Sequence, residues 1–329
     1  TMIDKMARGI AKHPKTVLIV CLILLIPSII CYLNTFVNYD ILSYLPEDLN
    51  SVQGEHILDK TFNNAASAIV VIENEDQKTA VKLKEEISEI DGVSNVMWVD
   101  DIADISIPED MLPDDLKNVF YSKDGNATLM MVQFTQGGAS ESTMDAIKSI
   151  RKCMNKNMFM SGVSTIMYDT KALADAQAPL YVVIAIVLAL IVLMFTLKSY
   201  VLPFVLLMAL CTAVVYNMGT NIFFGQISYI TQCIAAILQL GVTMDYSVFL
   251  MDRYEEECKY NDDRTMAMAS AISSTFVSLA GSSLTTVFGF LALCFMSFKL
   301  GLDIGLVMAK GVLLGVITVV TFLPALILL

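Results

Sequence analysis

Six stretches of this chain are apolar for long enough to cross a bilayer, and one long polar stretch interrupts them. Thr16 to Leu33 is an unbroken apolar run of 18 residues. After the polar insert come Tyr181 to Leu197, Val201 to Met218, Ile227 to Met251, Thr275 to Phe298 and Gly301 to Leu329. Each is near the roughly 20 residues that a helix needs to cover the hydrocarbon core. Only Lys198, Ser199 and Tyr200 separate the second run from the third, and Pro203 opens the third, so the two are expected to form a tight hairpin.

The polar insert alternates between strand and helix periods. Ala68 to Ile72 is a β-branched run, Gln77 to Ile90 has helical spacing, and Val93 to Val99 reads as a strand after the Asp91-Gly92 turn. A linker with Pro108 and Pro113 leads to a second cycle: a strand at Ala127 to Phe134, a helix at Glu141 to Asn155 capped by Ser140, and a short strand at Met158 to Ser161. Two β-α-β cycles in a row are the split pattern of an α+β ferredoxin-like sheet. The predicted organisation is residues 1–35 as a basic arm and first transmembrane helix, 36–178 as an extracytoplasmic domain, and 179–329 as transmembrane helices two to six.

Charge supplies the orientation. Lys5, Arg8, Lys12 and Lys15 precede the first run with only Asp4 against them. That run is longer than the about 7–15 residues of a signal peptide and ends in Cys31-Tyr-Leu-Asn-Thr-Phe36 without a small-residue cleavage site, so it reads as a span with the N-terminus in the cytoplasm. Threading six spans then puts the polar insert outside and Asp252 to Ser274 inside, with Arg253, Lys259 and Arg264. Lys299, in a short outer turn, is the exception, and the inner loop also carries six acids. Between Phe36 and Ala178 stand 24 Asp plus Glu against 11 Lys plus Arg, so the net charge of −12 resides in the insert. A nucleic-acid partner needs a basic surface, and the water-soluble part of this chain is acidic. Composition agrees with a cell-membrane protein: 56% hydrophobic, 16% charged, mean hydropathy +0.64.

Few residues offer chemistry. The seven cysteines are mostly in apolar runs, and His13 and His56 are the two histidines, so neither a disulfide framework nor a Cys/His metal site is indicated. Met154, Met158 and Met160 admit a soft-metal reading, but methionine is a routine filler of irregular apolar gaps, and packing is the reading preferred here. No phosphate loop, nucleophile elbow or His-Glu-x-x-His stands in the sequence, so neither an enzyme nor a cofactor is implied. Thr1 before Met2, and an end inside the apolar run at Leu329, suggest an engineered start or the first part of a longer protein.

The fourth run carries the sharpest signal. Gln232, Gln239, Tyr246 and Arg253 recur every seven residues as a polar seam, with Asp245 beside Tyr246. A carboxylate inside a membrane is costly to ionise and is a functional group by default. In the fifth run Ser274, Ser278, Gly281, Ser282, Thr285 and Gly289 step by three and four, which favours close helix packing. The sixth has Gly301, Gly305, Gly311 and Gly315 around Lys310, which has three readings: the cation that answers Asp245, a partner of Asp303, or a snorkelling residue.

Gly241-Val-Thr-Met-Asp-Tyr-Ser-Val-Phe-Leu-Met-Asp-Arg-Tyr-Glu-Glu-Glu257 resembles the fourth-helix motif of the MMPL-type branch of the resistance-nodulation-division (RND) transporters. Ser283 to Leu293, Leu300 to Leu314 and Leu323-Pro-Ala-Leu326 resemble the same branch. The resemblance implies a secondary transporter driven by proton-motive force that exports lipid, amphiphile or another hydrophobic substrate. It also implies a proton relay at Asp245 and Tyr246, a porter-type outer domain, and spans two to six similar to a sterol-sensing domain. Members usually hold two such halves, so one half implies a homodimer or a covalently linked second half. Lys310 departs from the small apolar residue expected at its place. A lipid- or sterol-binding sensor without transport is the second expectation, and a metal exporter the third.

Overall fold

The computed structural model describes residues 2–62, 66–104, 107 and 111–329; Thr1 and Pro108 lie outside the described residues. The chain divides into two compact units, Thr1–Asn38 with Ala174–Leu329, and Tyr39–Leu173.

In the first unit α1 (Met2–Lys12) and α2 (Pro14–Asn34) are separated at His13, whose φ of −124° and ψ of 54° interrupt the helix. Pro14 then opens α2, where its missing N–H costs nothing. The remaining long helices are α7 (Val163–Thr196), α8 (Leu202–Thr220), α9 (Tyr229–Glu257), α10 (Arg264–Ala292) and α11 (Lys299–Leu328). Six helices are thus long and apolar enough to cross a membrane. The short strands β1 (Phe36–Asn38) and β6 (Gln226–Ser228) pair in parallel at one end of this bundle. The helix around the second predicted span begins at Val163, because the amphipathic stretch before Tyr181 continues the same helix through Pro179.

α11 is the hub, touching α2, α8, α9 and α10. Leu206, Ala209, Leu250, Met268, Ile272, Val312 and Leu323 fill the core around it. Its glycines let backbones meet: a Cβ on Gly305 would lie 2.6 Å from the Phe290 carbonyl oxygen, one on Gly311 2.5 Å from Asn217 Nδ2, and one on Gly315 would run into the Thr243 methyl. Gly219 of α8 presses in the same way on the main chain of Ser28 in α2, beside a hydrogen bond of 2.5 Å from the Tyr216 hydroxyl to the Cys21 carbonyl. The small residues of α10 behave differently from expectation. Ser278, Gly281, Ser282, Thr285 and Gly289 are exposed, and a Cβ on either glycine would meet nothing within 4 Å. Past Thr275 the buried side of α10 turns to Leu279, Ser283 and Val287, which leaves the stripe uncovered over the second half of the helix.

The second unit contains α3 (Asn50–Phe62), β2 (Ala66–Glu73), α4 (Gln77–Ser88), β3 (Val93–Met97), α5 (Asp114–Phe120), β4 (Ala127–Phe134), α6 (Glu141–Cys153) and β5 (Met158–Ser161). The four strands run in the order β3-β4-β2-β5, each antiparallel to its neighbour, with Ala68 opposite Val132 and Val70 opposite Met160. Asp76 and Ser140 cap α4 and α6 by accepting from the N–H groups of Thr79 and Thr143. Val70, Ile72, Ile87, Met130, Phe134, Ile147 and Ile150 form the core. Met158 is buried there and Met154 and Met160 pack at its edge. Trp98 is fully buried, and its indole N–H reaches Thr128 Oγ1 at 2.8 Å, which in turn donates to the Phe120 carbonyl.

The predicted strand to Val99 stops at Met97 because Asp101 accepts the Trp98 N–H and starts a tight turn over Val99–Asp101. Lys84 holds that turn, 2.6 Å from Asp100 and 2.7 Å from Asp101. Burial alone would raise the Asp101 carboxyl and lower the Lys84 ammonium, but their mutual hydrogen bonds win, holding Asp101 below and Lys84 above their ordinary values. Asp101 therefore contributes fully above an unfolded value of about 3.9 and loses its contribution as pH falls through its lower folded value. Lys84 contributes fully below about 10.4 and loses it as pH rises through its higher folded value. Replacing Lys84 with Met is expected to cost about 1 kcal/mol near neutral pH, discounted for exposure of Asp101, and to cost less below about pH 3. Thermal melts of the full chain at both pH values check this.

Candidate functional site

Asp245 sits inside α9, 12 residues before its end at Glu257 and 16 after its start at Tyr229, so about 18 and 24 Å of helix lie on either side. Its side chain is exposed and opens into a cleft of about 690 Å³ between α9 and α10. Val242, Tyr246, Phe249 and Asp252 line one wall, and Ser278, Leu279, Ser282 and Thr286 the other. Tyr246 is 6% exposed, packed in the bundle core while also lining the cleft. Asp252, two turns from Asp245, adds a second carboxylate to the same wall. An ionised Asp facing lipid at mid-span costs about 2.5–3.5 kcal/mol on insertion scales, so this face requires water or another helix beside it. Chemically the cleft offers a carboxylate flanked by hydroxyls. Two hydroxyls nearby are tied to their own helix, Thr285 to the Gly281 carbonyl at 3.1 Å and Thr286 to that of Ser282 at 3.2 Å.

The expected seam divides among four environments. Gln232 lines a second cleft, Gln239 is wholly buried, Tyr246 joins Asp245, and Arg253 leaves the bundle for Ser274, Glu256 and Glu257. Seven residues of α-helix fall about 20° short of two turns, so three such steps rotate the row by about 60° and carry it past different neighbours. Gln239 is the structural member: it accepts from Asn217 Nδ2 at 2.9 Å and donates to the Gly311 carbonyl at 3.0 Å.

Lys310 does not answer Asp245, and it does not reach Asp303. Its ammonium donates to the Asn217 carbonyl at 2.9 Å, Thr220 Oγ1 at 2.8 Å and Asn221 Oδ1 at 2.6 Å, and lies 4.9 Å from the Phe224 ring centre. Depth sets this choice of partners. Gly311 meets Gln239, six residues or about 9 Å of rise from Asp245 and on a different face, so the Lys310 stem reaches the carbonyl end of α8 instead. Asp303 is committed elsewhere, accepting from the Ser228 N–H and from the Thr231 hydroxyl at the start of α9. Replacing Lys310 with Met is expected to cost about 1–3 kcal/mol by stripping three acceptors of their donor, with Arg a partial rescue. A Met variant that melts at the parent temperature would contradict this role.

Sequence reasoning passed over Asp252, Asn217 and Asn221. Asp252 repeats Asp245 at a seven-residue interval, which was a readable signal; the two asparagines acquire meaning only from Lys310. The second cleft, about 510 Å³, is mostly apolar and lies between α2, α7, α8 and α9, lined by Tyr32, Pro179, Val182, Val214, Met218, Cys233 and Ala236 with Asp175 and Gln232. Among the described residues no group of three or more His, Cys, Asp or Glu is placed to hold a metal ion.

Comparison with known proteins adds the relatives. The MMPL family model matches residues 43–329. The membrane protein MJ1562 of Methanocaldococcus jannaschii is 24% identical over 271 residues, covering 76% of this chain and 70% of that protein. The "Probable transport protein MmpL12" of Mycobacterium tuberculosis is 23% identical over 232 residues, 67% of this chain but 20% of its own length. The apo-petrobactin exporter of Bacillus anthracis is 25% identical over 271 residues, 74% of this chain and 36% of that protein. This chain thus spans most of the archaeal relative and a minor part of the other two.

Proposed function

The chain belongs to the MMPL family, and from that premise we propose that it is a half unit of a proton-motive-force-driven secondary transporter that exports a lipid, amphiphile or other hydrophobic molecule. The observation that carries the reading is Asp245 at mid-span on an open helix face, with Tyr246 beside it and a hydroxyl-lined cleft in front. Asp245 takes up a proton from one side and releases it to the other, and Tyr246 is its relay neighbour. Protonation removes the charge and with it the need for water in the cleft, so the two states favour different packing of α9 against whatever covers it.

The cover is a second half, either another copy or a linked segment. Support comes from the exposed stripe of Gly281, Ser282, Thr285 and Gly289, which has the small residues of a close helix contact and where a Cβ on either glycine would meet nothing within 4 Å among the described residues. The names of an exporter and a transport protein among the relatives favour transport over catalysis. Residues 36–178 form the extracytoplasmic porter-type domain in this reading. Its ferredoxin-like character is supported by the strand order and antiparallel pairing, and its outward placement by the basic arm at the other end of the first span. The apolar cleft between α2, α7, α8 and α9 suits an acyl chain, and it is also the observation that favours the second reading, a lipid sensor without transport.

The deciding experiment is export of a fluorescent amphiphile from proteoliposomes under an imposed pH gradient. Export that stops when an ionophore collapses the gradient supports the transporter. Saturable lipid binding with no gradient-dependent export would support the sensor instead.

A further inference from the structure

We propose that α1 is a docking surface for anionic phospholipid headgroups, at the membrane face where α9 and α10 are joined. α1 is held on the bundle by one side only. Ala7 and Ala11, 0% and 1% exposed, press against α10, and Asp4 on the same face accepts a hydrogen bond of 2.5 Å from the Ser273 hydroxyl. The break at His13 separates α1 from the span that follows, so it is a distinct element and not the tip of a transmembrane helix.

The flanks left over are of two kinds. Lys5, Arg8 and Lys12 step by three and four along one flank, Lys15 follows just past the break, and all four are exposed. Met2 and Met6 occupy the opposite flank and are exposed too. An α-helix with one seated side, one cationic flank and one apolar flank has the makeup of an element at the headgroup boundary, where phosphates answer the cations and thioether side chains enter the acyl region. Asp4, the acid nearest in sequence, accepts from Ser273, and on the connection between α9 and α10 Glu256 and Glu257 pair with Arg253 while Asp263 caps α10 through the Thr265 N–H. Among the described residues none of the four cations forms an ion pair or hydrogen bond, whereas Arg253, Lys84 and Arg151 each do. Each juxtamembrane cation strengthens attraction to an anionic leaflet by roughly fivefold, so four act as a set.

The test uses the full chain, captured on affinity resin from mixed micelles holding equal amounts of phosphatidylglycerol and phosphatidylcholine, with retained lipid extracted and quantified. The parent is expected to retain phosphatidylglycerol in excess at about 0.1 M salt and to lose most of that excess at about 1 M. Lys5→Gln, Arg8→Gln, Lys12→Gln and Lys15→Gln together are expected to lower the retained ratio by about tenfold or more. Lys5→Arg, Lys12→Arg and Lys15→Arg together are expected to keep it. An equal charge removal on the other unit, Lys78→Gln, Lys82→Gln, Lys123→Gln and Lys148→Gln, is expected to leave the ratio unchanged. No phosphatidylglycerol excess in the parent would overturn the proposal, as would an undiminished excess in the first variant or an equal drop in the last. The Arg variant and the salt series keep the outcome readable if the Gln variant expresses poorly.

Discussion

Asp245→Asn is expected to lower gradient-driven export by about a hundredfold or more, the usual scale when a group that carries a proton is removed, while leaving the chain folded. Asn keeps the shape and hydrogen-bonding capacity of a protonated Asp but cannot ionise, so the variant is held in one protonation state and the cycle stops. Stability should change by less than about 0.5 kcal/mol, because the side chain is exposed and forms no ion pair among the described residues. Tyr246→Phe should have a smaller effect, about tenfold, since it removes a hydroxyl from a ring that otherwise stays packed in the core. The assay is the proteoliposome export above, paired with a melting curve for each variant. Wild-type export by the Asn variant would remove Asp245 from the coupling step. Loss of export accompanied by loss of the folded state would mean instead that Asp245 supports the bundle.

The second large effect concerns backbone contact, and it separates glycines that composition makes look alike. Gly219→Ala and Gly315→Ala should each destabilise the chain by about 1–3 kcal/mol, because the added methyl meets Ser28 main chain in one case and the buried Thr243 side chain in the other. A change of that size in a helical bundle should lower the melting midpoint by several degrees. Gly281→Ala and Gly289→Ala, inside α10 with open space around them, should not lower the melting of the isolated chain and should raise it slightly, because Ala favours the helix by about 0.5–1 kcal/mol over Gly. The two pairs then cross over in a measurement of assembly: bulkier replacements at 281 and 289 should weaken association of α10 with a second half, seen as a lower mass on light scattering in detergent. If Gly281→Ala melted as early as Gly219→Ala, the stripe on α10 would already be packed inside the chain.

Much of the architecture was readable as a string. Apolar runs marked all six long helices because a bilayer imposes a length and a composition that hold whatever the neighbours are. Strands β4 and β5 ended where the pattern put them, since alternation and turn residues are local signals. The Asp245-Tyr246 pair stood out for the same reason: a carboxylate in an apolar run is visible without knowing what it faces. Short polar helices such as Asn50–Phe62 and Asp114–Phe120 were not visible, because few apolar positions fix them and their stability comes from the unit around them.

Partner choice was the part that sequence left open. Lys310 sits seven residues from Asp303 along the same helix, yet each side chain is taken by a different neighbour, Lys310 by the carbonyl end of α8 and Asp303 by the start of α9. Gly219 lies against the Ser28 main chain, a contact that no local pattern marks, and the small-residue stripe on α10 is exposed although its spacing equals that of a packed seam. The sequence by itself determined which segments are long and apolar enough to cross a membrane and where a carboxylate sits along them, since both follow from transfer energies that add residue by residue. The tertiary structure decided what each polar group and each glycine touches. That depends on the rotation and crossing of whole helices, which is set by the summed packing of residues far apart in the chain.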